Sequence, residues 1–291
     1  MGYKTANAFR KALEARLLNR SRETGEPLLR LRKRAAFDRF LARLFPTQRD
    51  EWLLKGGVAM QLRFVEQART TKDIDLLSRN PDDDLLKKLR DAGSVDLGDW
   101  FRFEIEEPTT AREGFGGIRF RVSVFLAGRS FTVFPLDVGV GDPVIGNPEW
   151  LESGDLFVFA GFGRVRIPAY SIPQQIAEKF HAYTMEYSSG SSSRVKDLFD
   201  ILLLTGYGEI SGKELSQALE LIFEIRGSHD LPEMVPSPPE NWRMPFEEMA
   251  GQSNLEYGTI SSAYQALQNF FDPLLGNEGV SVWDPEGKTW R

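Results

Sequence analysis

Asp73 and Asp75 are two carboxylates separated by one residue, inside the run Asp73-Ile-Asp-Leu-Leu77. If that run is a strand, alternation points both to one face, roughly 6–7 Å apart. Like charges held that close are unfavourable unless something positive lies between them. A divalent cation supplies that charge. Two aspartates at one strand end can bridge two magnesium ions roughly 4 Å apart, the arrangement used for in-line displacement at phosphorus. The chain has no cysteine and only two histidines, His181 and His229, which argues against zinc and for a hard ion held by oxygen. Magnesium is the expected ion, with manganese as the alternative. Asp137, flanked by Leu136 and Val138, is a third carboxylate that either completes the metal set or deprotonates an attacking hydroxyl. The plainer reading of Asp137 is a strand-end residue that caps the turn at Gly139.

Other residues supply the positive half of such chemistry. Gly56-Gly57 follows Lys55 between an apolar run and a helical pattern. Glycine allows positive φ and close backbone approach, and a helix start offers free N–H groups to phosphate. Lys55, Gly56, Gly57, Thr71 and Lys72 are therefore candidate nucleotide contacts. Later in the chain, AEKFHAY carries Lys179, and RVKDLFDI carries Arg194, Lys196, Asp197 and Asp200. Arg194 and Asp197 are three apart, Lys196 and Asp200 four apart, so each pair shares a helix face. One reading makes them surface ion pairs. The other makes them a phosphate-binding lysine on one helix and an orienting carboxylate on the next, with Arg194 and Lys196 also near the nucleotide. His181 reads as structural.

These residues need elements to hold them. Helical spacing predicts helices over residues 6–20 and 28–45, broken by Gly25-Glu-Pro27 and ended by Pro46. A short strand at Trp52-Leu53-Leu54 leads through Gly56-Gly57 into a helical pattern reaching about Glu66. Residues 73–77 read as a buried strand, and Pro81 with three aspartates opens a helix to about Arg90. Residues 100–140 read as antiparallel sheet, because Ile118, Phe120, Val122 and Val124 alternate with Arg119, Arg121, Ser123 and Phe125. Residues 127–130 form its turn, and Pro135 suggests an edge or a bulge. The second half is helical. Ser171 with Gln174 is a capping-box signature, and Ile172, Ile176, Phe180 and Tyr187 share a face. Residues 188–193 read as a flexible loop. Further helices are expected at 194–204, 213–226 and 256–272, with a Pro-rich connector over 231–245 that should lack regular structure.

The net charge of −6 is uneven: residues 1–50 carry thirteen Lys/Arg against five Asp/Glu. Such a segment can attract phosphate, or can be a solvated helix face lying over the core. No apolar run approaches the roughly 20 residues of a membrane span, and no secretory signal is visible, so a cytoplasmic protein is expected.

Taken together, KGGVAMQLRF, ARTTKDIDLL, LDVG around Asp137, AEKFHAY and RVKDLFDI resemble the AbiEii family of abortive-infection toxins, which includes MenT-like mycobacterial toxins. The resemblance covers about residues 28–205. It implies an α/β (α+β) fold: a polymerase-beta-like nucleotidyltransferase core with a mixed sheet, and a helical C-terminal lobe across a cleft. The organisation implied is basic N-terminal helices over 1–46 packing on the core, the core itself over 47–168, and the helical lobe over 169–291. It implies that Gly56 and Gly57 hold nucleotide phosphates, that Asp73 and Asp75 hold magnesium, that Lys179 contacts the triphosphate, and that Asp197 or Asp200 completes the catalytic set. Spacing alone does not choose between those two.

Family members are toxins of type IV-like toxin–antitoxin pairs in phage defence, and some add nucleotides to the tRNA 3′ end. The expected partners are therefore an NTP, a tRNA acceptor, and an AbiEi-like antitoxin or a regulatory kinase. Thr70, Thr71 and Ser78 are candidate phosphorylation sites by position only. Two departures stand out: Gly-Gly replaces the broader superfamily's Gly-Ser, removing a hydroxyl, and the spacing from Gly57 to Asp73 is slightly long. The rival readings are transfer to a protein or an aminoglycoside-like small molecule, and a non-catalytic nucleotide-binding module.

Overall fold

The computed structural model describes all residues except 1–2, 66, 81–83, 109, 112–116, 186–193, 254 and 277. The expected loop at 188–193, Tyr187, Glu66 and the start of the Pro81 segment lie outside the described residues. The chain forms two compact units. One comprises Met1–Leu62, Thr70–Pro143 and Pro148–Ala169; the other comprises Arg63–Arg69, Val144–Asn147 and Tyr170–Arg291.

The first unit opens with helices α1 (Ala6–Thr24) and α2 (Leu28–Thr47). Pro46 does not end α2 but sits in its last turn. There follow β1 (Trp52–Lys55), α3 (Gly56–Arg63), β2 (Ile74–Ser78), α4 (Leu85–Gly93), β3 (Phe101–Ile105), β4 (Thr110–Ala111), β5 (Gly117–Leu126), β6 (Arg129–Val140), β7 (Glu149–Glu152) and β8 (Arg166–Ala169). Asp84 caps α4 by accepting from the Lys87 N–H. The strands build one mixed sheet in the order β3-β5-β6-β2-β1-β8-β7, with β4 also on β5. β2 runs parallel to β6 and β1 parallel to β8, while the other neighbours are antiparallel.

β6 is an internal strand, so the edge expected from Pro135 is not there. Pro135 pairs only toward β5, because the β2 ladder begins one residue later at Leu136. A proline is tolerated where that flank is still unpaired.

The core of this unit lies under α2, whose Phe37 ring meets Phe134 of β6 edge-on at 4.9 Å. Two of the N-terminal cations are buried there rather than offered to solvent. Arg39 and Arg43 both bind Asp99, with the Arg39 Nε 2.8 Å from Oδ2 and the Arg43 Nη2 2.5 Å from Oδ1. Burial alone would raise the Asp99 pKa, but these guanidinium contacts hold it below the usual carboxylate range.

The second unit contains α5 (Ile172–Thr184), α6 (Val195–Thr205), β9 (Ile210–Ser211), α7 (Gly212–Arg226), α8 (Arg243–Ser253), α9 (Ile260–Leu275), β10 (Val282–Asp284) and β11 (Thr289–Trp290). Ser171 caps α5 by accepting from Gln174 N–H, while the Gln174 side chain accepts from Ile145 N–H. Phe180 of α5 stacks on Phe271 of α9 with centroids 4.0 Å apart. The Pro-rich connector is more ordered than expected: a short 3-10 turn at 240–242 runs into α8, which starts at Arg243. Pro245 falls in the first turn of that helix, where its missing N–H costs nothing. The small sheet β11-β10-β9 was not expected, because its strands are two or three residues long. No described helix is long and apolar enough to cross a membrane.

Candidate active site

The first unit's carboxylates are placed by the β1–α3 turn and by sheet register. β1 ends at Lys55, and Gly56 starts α3 with φ +64°. A Cβ on Gly56 would lie 2.1 Å from Oδ2 of Asp75, and one on Gly57 would lie 2.6 Å from Oγ1 of Thr71. Both positions must therefore lack a side chain, because the Asp75 carboxylate and the Thr71 hydroxyl lie directly against the backbone. A serine at 57 has no room beside Thr71, which accounts for one departure from the Gly-Ser pattern.

Register then aligns four strands. Lys55 pairs with Asp75 across β1–β2, Asp75 with Asp137 across β2–β6, and Asp137 with Arg119 across β6–β5. Paired residues share a face, so these four form one row across the sheet, positive at both ends and negative in the middle. Arg119 grips Asp137 with both arms, Nε to Oδ1 at 2.7 Å and Nη2 to Oδ2 at 2.6 Å. That contact, with Asp73 and Asp75 adding to it, raises the Arg119 pKa further. Lys55 Nζ lies 2.8 Å from Oδ2 of Asp142, in space left by the absent side chain of Gly139.

Asp73 precedes β2 rather than lying in it, so its position is set by a bend and not by strand alternation. The Thr71 hydroxyl donates to its Oδ1 at 2.7 Å. Lys33 of α2 donates to the Lys72 carbonyl. Burial lowers its pKa, and the nearby Asp73 pulls the other way. Lys72 itself has an exposed side chain.

Magnesium is commonly held by one or two carboxylates plus substrate phosphates rather than by an all-protein cage. Among the described residues no three His, Cys, Asp or Glu side chains form such a cage. Asp75, lying where a Cβ of Gly56 would be, and the neighbouring Asp73 fit the two-carboxylate pattern. Asp137 would contribute only after parting from Arg119.

In the second unit, α5 and α6 bring together the other candidates. Lys179 Nζ lies 2.5 Å from Oδ2 of Asp200 and 3.6 Å from Oδ1 of Asp197. Arg69 forks onto Asp200 at 3.1 and 2.8 Å, and Arg194 reaches Asp197 at 3.3 Å. Asp200 is fully enclosed. Burial would raise its pKa, but Lys179 and Arg69 hold it low. The two aspartates therefore separate by geometry: Asp200 orients Lys179 and Arg69, and Asp197 keeps the more accessible carboxylate. The expected Lys196–Asp200 pair is replaced, because Asp200 turns inward to Lys179 and Arg69 while Lys196 is exposed.

His181 is buried, and its Nε2 shares the Ser228 hydroxyl at 2.9 Å with Nδ1 of His229. Burial, with Arg226 and His229 nearby, lowers its pKa to about 4.

Arg119, Asp142 and Lys33 join these clusters without any motif in the sequence to mark them. Arg119 was visible only as the polar member of an alternating strand. Lys33 was one of many basic residues, and Asp142 stood in a turn.

Residues 39–272 match the model of the AbiEii family, described as nucleotidyl transferase AbiEii toxin, type IV toxin–antitoxin system. Among solved structures, the chain is similar to MenT4, a nucleotidyltransferase toxin from Mycobacterium tuberculosis H37Rv. The TM-score is 0.58 at 16% identity, covering 78% of each chain. It is also similar to JHP933 from Helicobacter pylori, with TM-score 0.50 and 12% identity, covering 85% of this chain and 95% of that one. Among curated proteins, no sequence matches at a significant level.

Proposed function

We propose, from the premise that this chain belongs to the AbiEii family of nucleotidyltransferase toxins of type IV toxin–antitoxin systems, that it transfers a nucleoside monophosphate from an NTP to the 3′ end of tRNA. The observation that carries this reading is the Asp73/Asp75 pair at a turn where Gly56 and Gly57 have no room for side chains. Asp73 and Asp75 bind the metal–nucleotide, with Thr71 holding the Asp73 carboxylate in place. Bound magnesium or manganese would supply Lewis-acid charge at the reacting phosphate. The backbone at Gly56-Gly57 binds phosphate oxygens at the start of α3. Lys179, oriented by Asp200, neutralises triphosphate charge, and Asp197 beside it takes part in orienting the substrate.

An RNA acceptor is supported by the exposed cations on and beside α1 and α2, among them Lys11, Arg16, Arg22, Arg30 and Arg49. Growth inhibition by loss of acceptor tRNA, held in check by a cognate antitoxin, is the biological role this predicts.

The test is incubation with each α-labelled NTP, magnesium and total tRNA, with Asp75→Asn as control. Label on tRNA from the wild type alone supports the reading. Label on protein or on a small molecule instead would replace the acceptor, and salt-independent RNA binding would count against the basic surface.

A further inference from the structure

Arg119 closes the carboxylate row of the first unit. Its fork engages both oxygens of Asp137, the atoms that a divalent cation would bind. The two partners are unequally held. The Asp137 side chain is 10% exposed and that of Arg119 is 40%, so the carboxylate is fixed and the guanidinium is the group able to leave. Asp73 and Asp75 also act on the guanidinium, so Arg119 lies in the field of all three carboxylates. A cation in that field does the electrostatic work of a metal ion.

We propose that Arg119 is an internal counter-ion that a divalent cation displaces from Asp137, and that the displaced guanidinium then pairs with the phosphates arriving with that cation. The inference rests on the nucleotidyl-transfer reading and assigns one residue a role in it. The exchange is chemically even-handed. A guanidinium presents the same two-pronged donor set to phosphate as to carboxylate. A divalent cation in its place keeps the buried Asp137 carboxylate paired, so the exchange leaves no bare charge behind. Arg119 thereby keeps the row neutralised before the substrate arrives and becomes a phosphate ligand once it does.

The experiment uses the full chain and two probes, Mn2+ alone and inorganic tripolyphosphate with saturating Mn2+. Free Mn2+ is followed by its paramagnetic resonance signal. Arg119→Gln is expected to bind Mn2+ more tightly than wild type by roughly threefold or more. It should bind tripolyphosphate more weakly by a similar factor. Arg119→Lys keeps the charge without the fork, should fall between the two on both probes, and serves if the glutamine variant does not fold. A purely structural role would weaken both probes together.

Mn2+ affinity in Arg119→Gln equal to or below wild type overturns the displacement, and so does absence of Mn2+ binding by any of the proteins. Unchanged tripolyphosphate affinity overturns the handover to phosphate. Loss of label transfer to tRNA with the opposed shifts intact would sink the acceptor assignment and leave the exchange standing.

Discussion

The two charged clusters of this chain are built on opposite balances. On and beside the sheet, Asp73, Asp75, Asp137 and Asp142 outnumber Lys55 and Arg119, and Asp75 is held against a backbone turn. Between α5 and α6, Arg69, Lys179 and Arg194 outnumber Asp197 and Asp200, and the central carboxylate is sealed from solvent. A surplus of carboxylate calls for a cation, and a surplus of cation calls for an anion. The clusters also differ in what their aspartates are for. Asp75 is half-buried, whereas Asp200 is wholly buried and meets Lys179 and Arg69 of its own chain.

The same isosteric change in each cluster should separate them. Asp75→Asn is expected to lower nucleotide transfer by about 10²–10³-fold or more, with a melting temperature at or above wild type because a like-charge repulsion is relieved. Asp200→Asn should instead lose stability. It leaves Lys179 and Arg69 short of their counter-charge in a buried place, at a cost of about 3–5 kcal/mol, read as a fall in the denaturant midpoint. If Asp75→Asn unfolds the protein while Asp200→Asn melts normally, the contrast between the clusters is wrong.

Gly56→Ala sharpens the sheet side of the comparison. The left-handed φ costs about 1–2 kcal/mol, and the new methyl meets Asp75. Transfer should therefore fall by more than this stability loss implies, whereas an alanine that merely strains the turn would lower stability alone.

The smallest effect belongs to His181. Its folded-state pKa of about 4 lies below the unfolded value of 6.5, so as pH falls the unfolded chain takes the proton first. Stability should be lost progressively from pH 6.5 to 4 and level off below, with a melting temperature lower by a few degrees. His181→Gln should flatten that part of the profile. A profile unchanged by the substitution would remove the histidine pair from the account.

Much of this was legible in the sequence. The strand–Gly-Gly–helix turn, the strand after Asp73 and the two helices of the later motifs were all marked by local pattern, and β5 and β6 by alternation. The row itself was not legible, and β5–β6 shows why. The turn at Ala127-Gly128 sets a register in which Leu126 faces Arg129 and Phe125 faces Ser130. Carried along the hairpin unchanged, that register would set Arg119 opposite Leu136. A bulge between Val124 and Phe125 shifts the pairing by one, and Arg119 meets Asp137 instead. No local residue pattern announced the bulge. The choice between Asp197 and Asp200 was hidden for a similar reason: it depends on which way α6 faces Lys179 and Arg69, and spacing within α6 is silent on partners from other elements.

The parallel pairing of β1 with β8 has a consequence for how the chain is made. β1 and β2 carry the turn and Asp75, yet β1 gains its second neighbour only when residues 166–169 exist. At translation rates of roughly 5–20 residues per second, the interval between synthesis of β2 and of β8 is on the order of 5–20 s. Through that interval the growing chain carries its acidic pair without the completed sheet that fixes it. The strand that carries the turn is therefore the last part of this sheet to be enclosed, although it is among the first to be made.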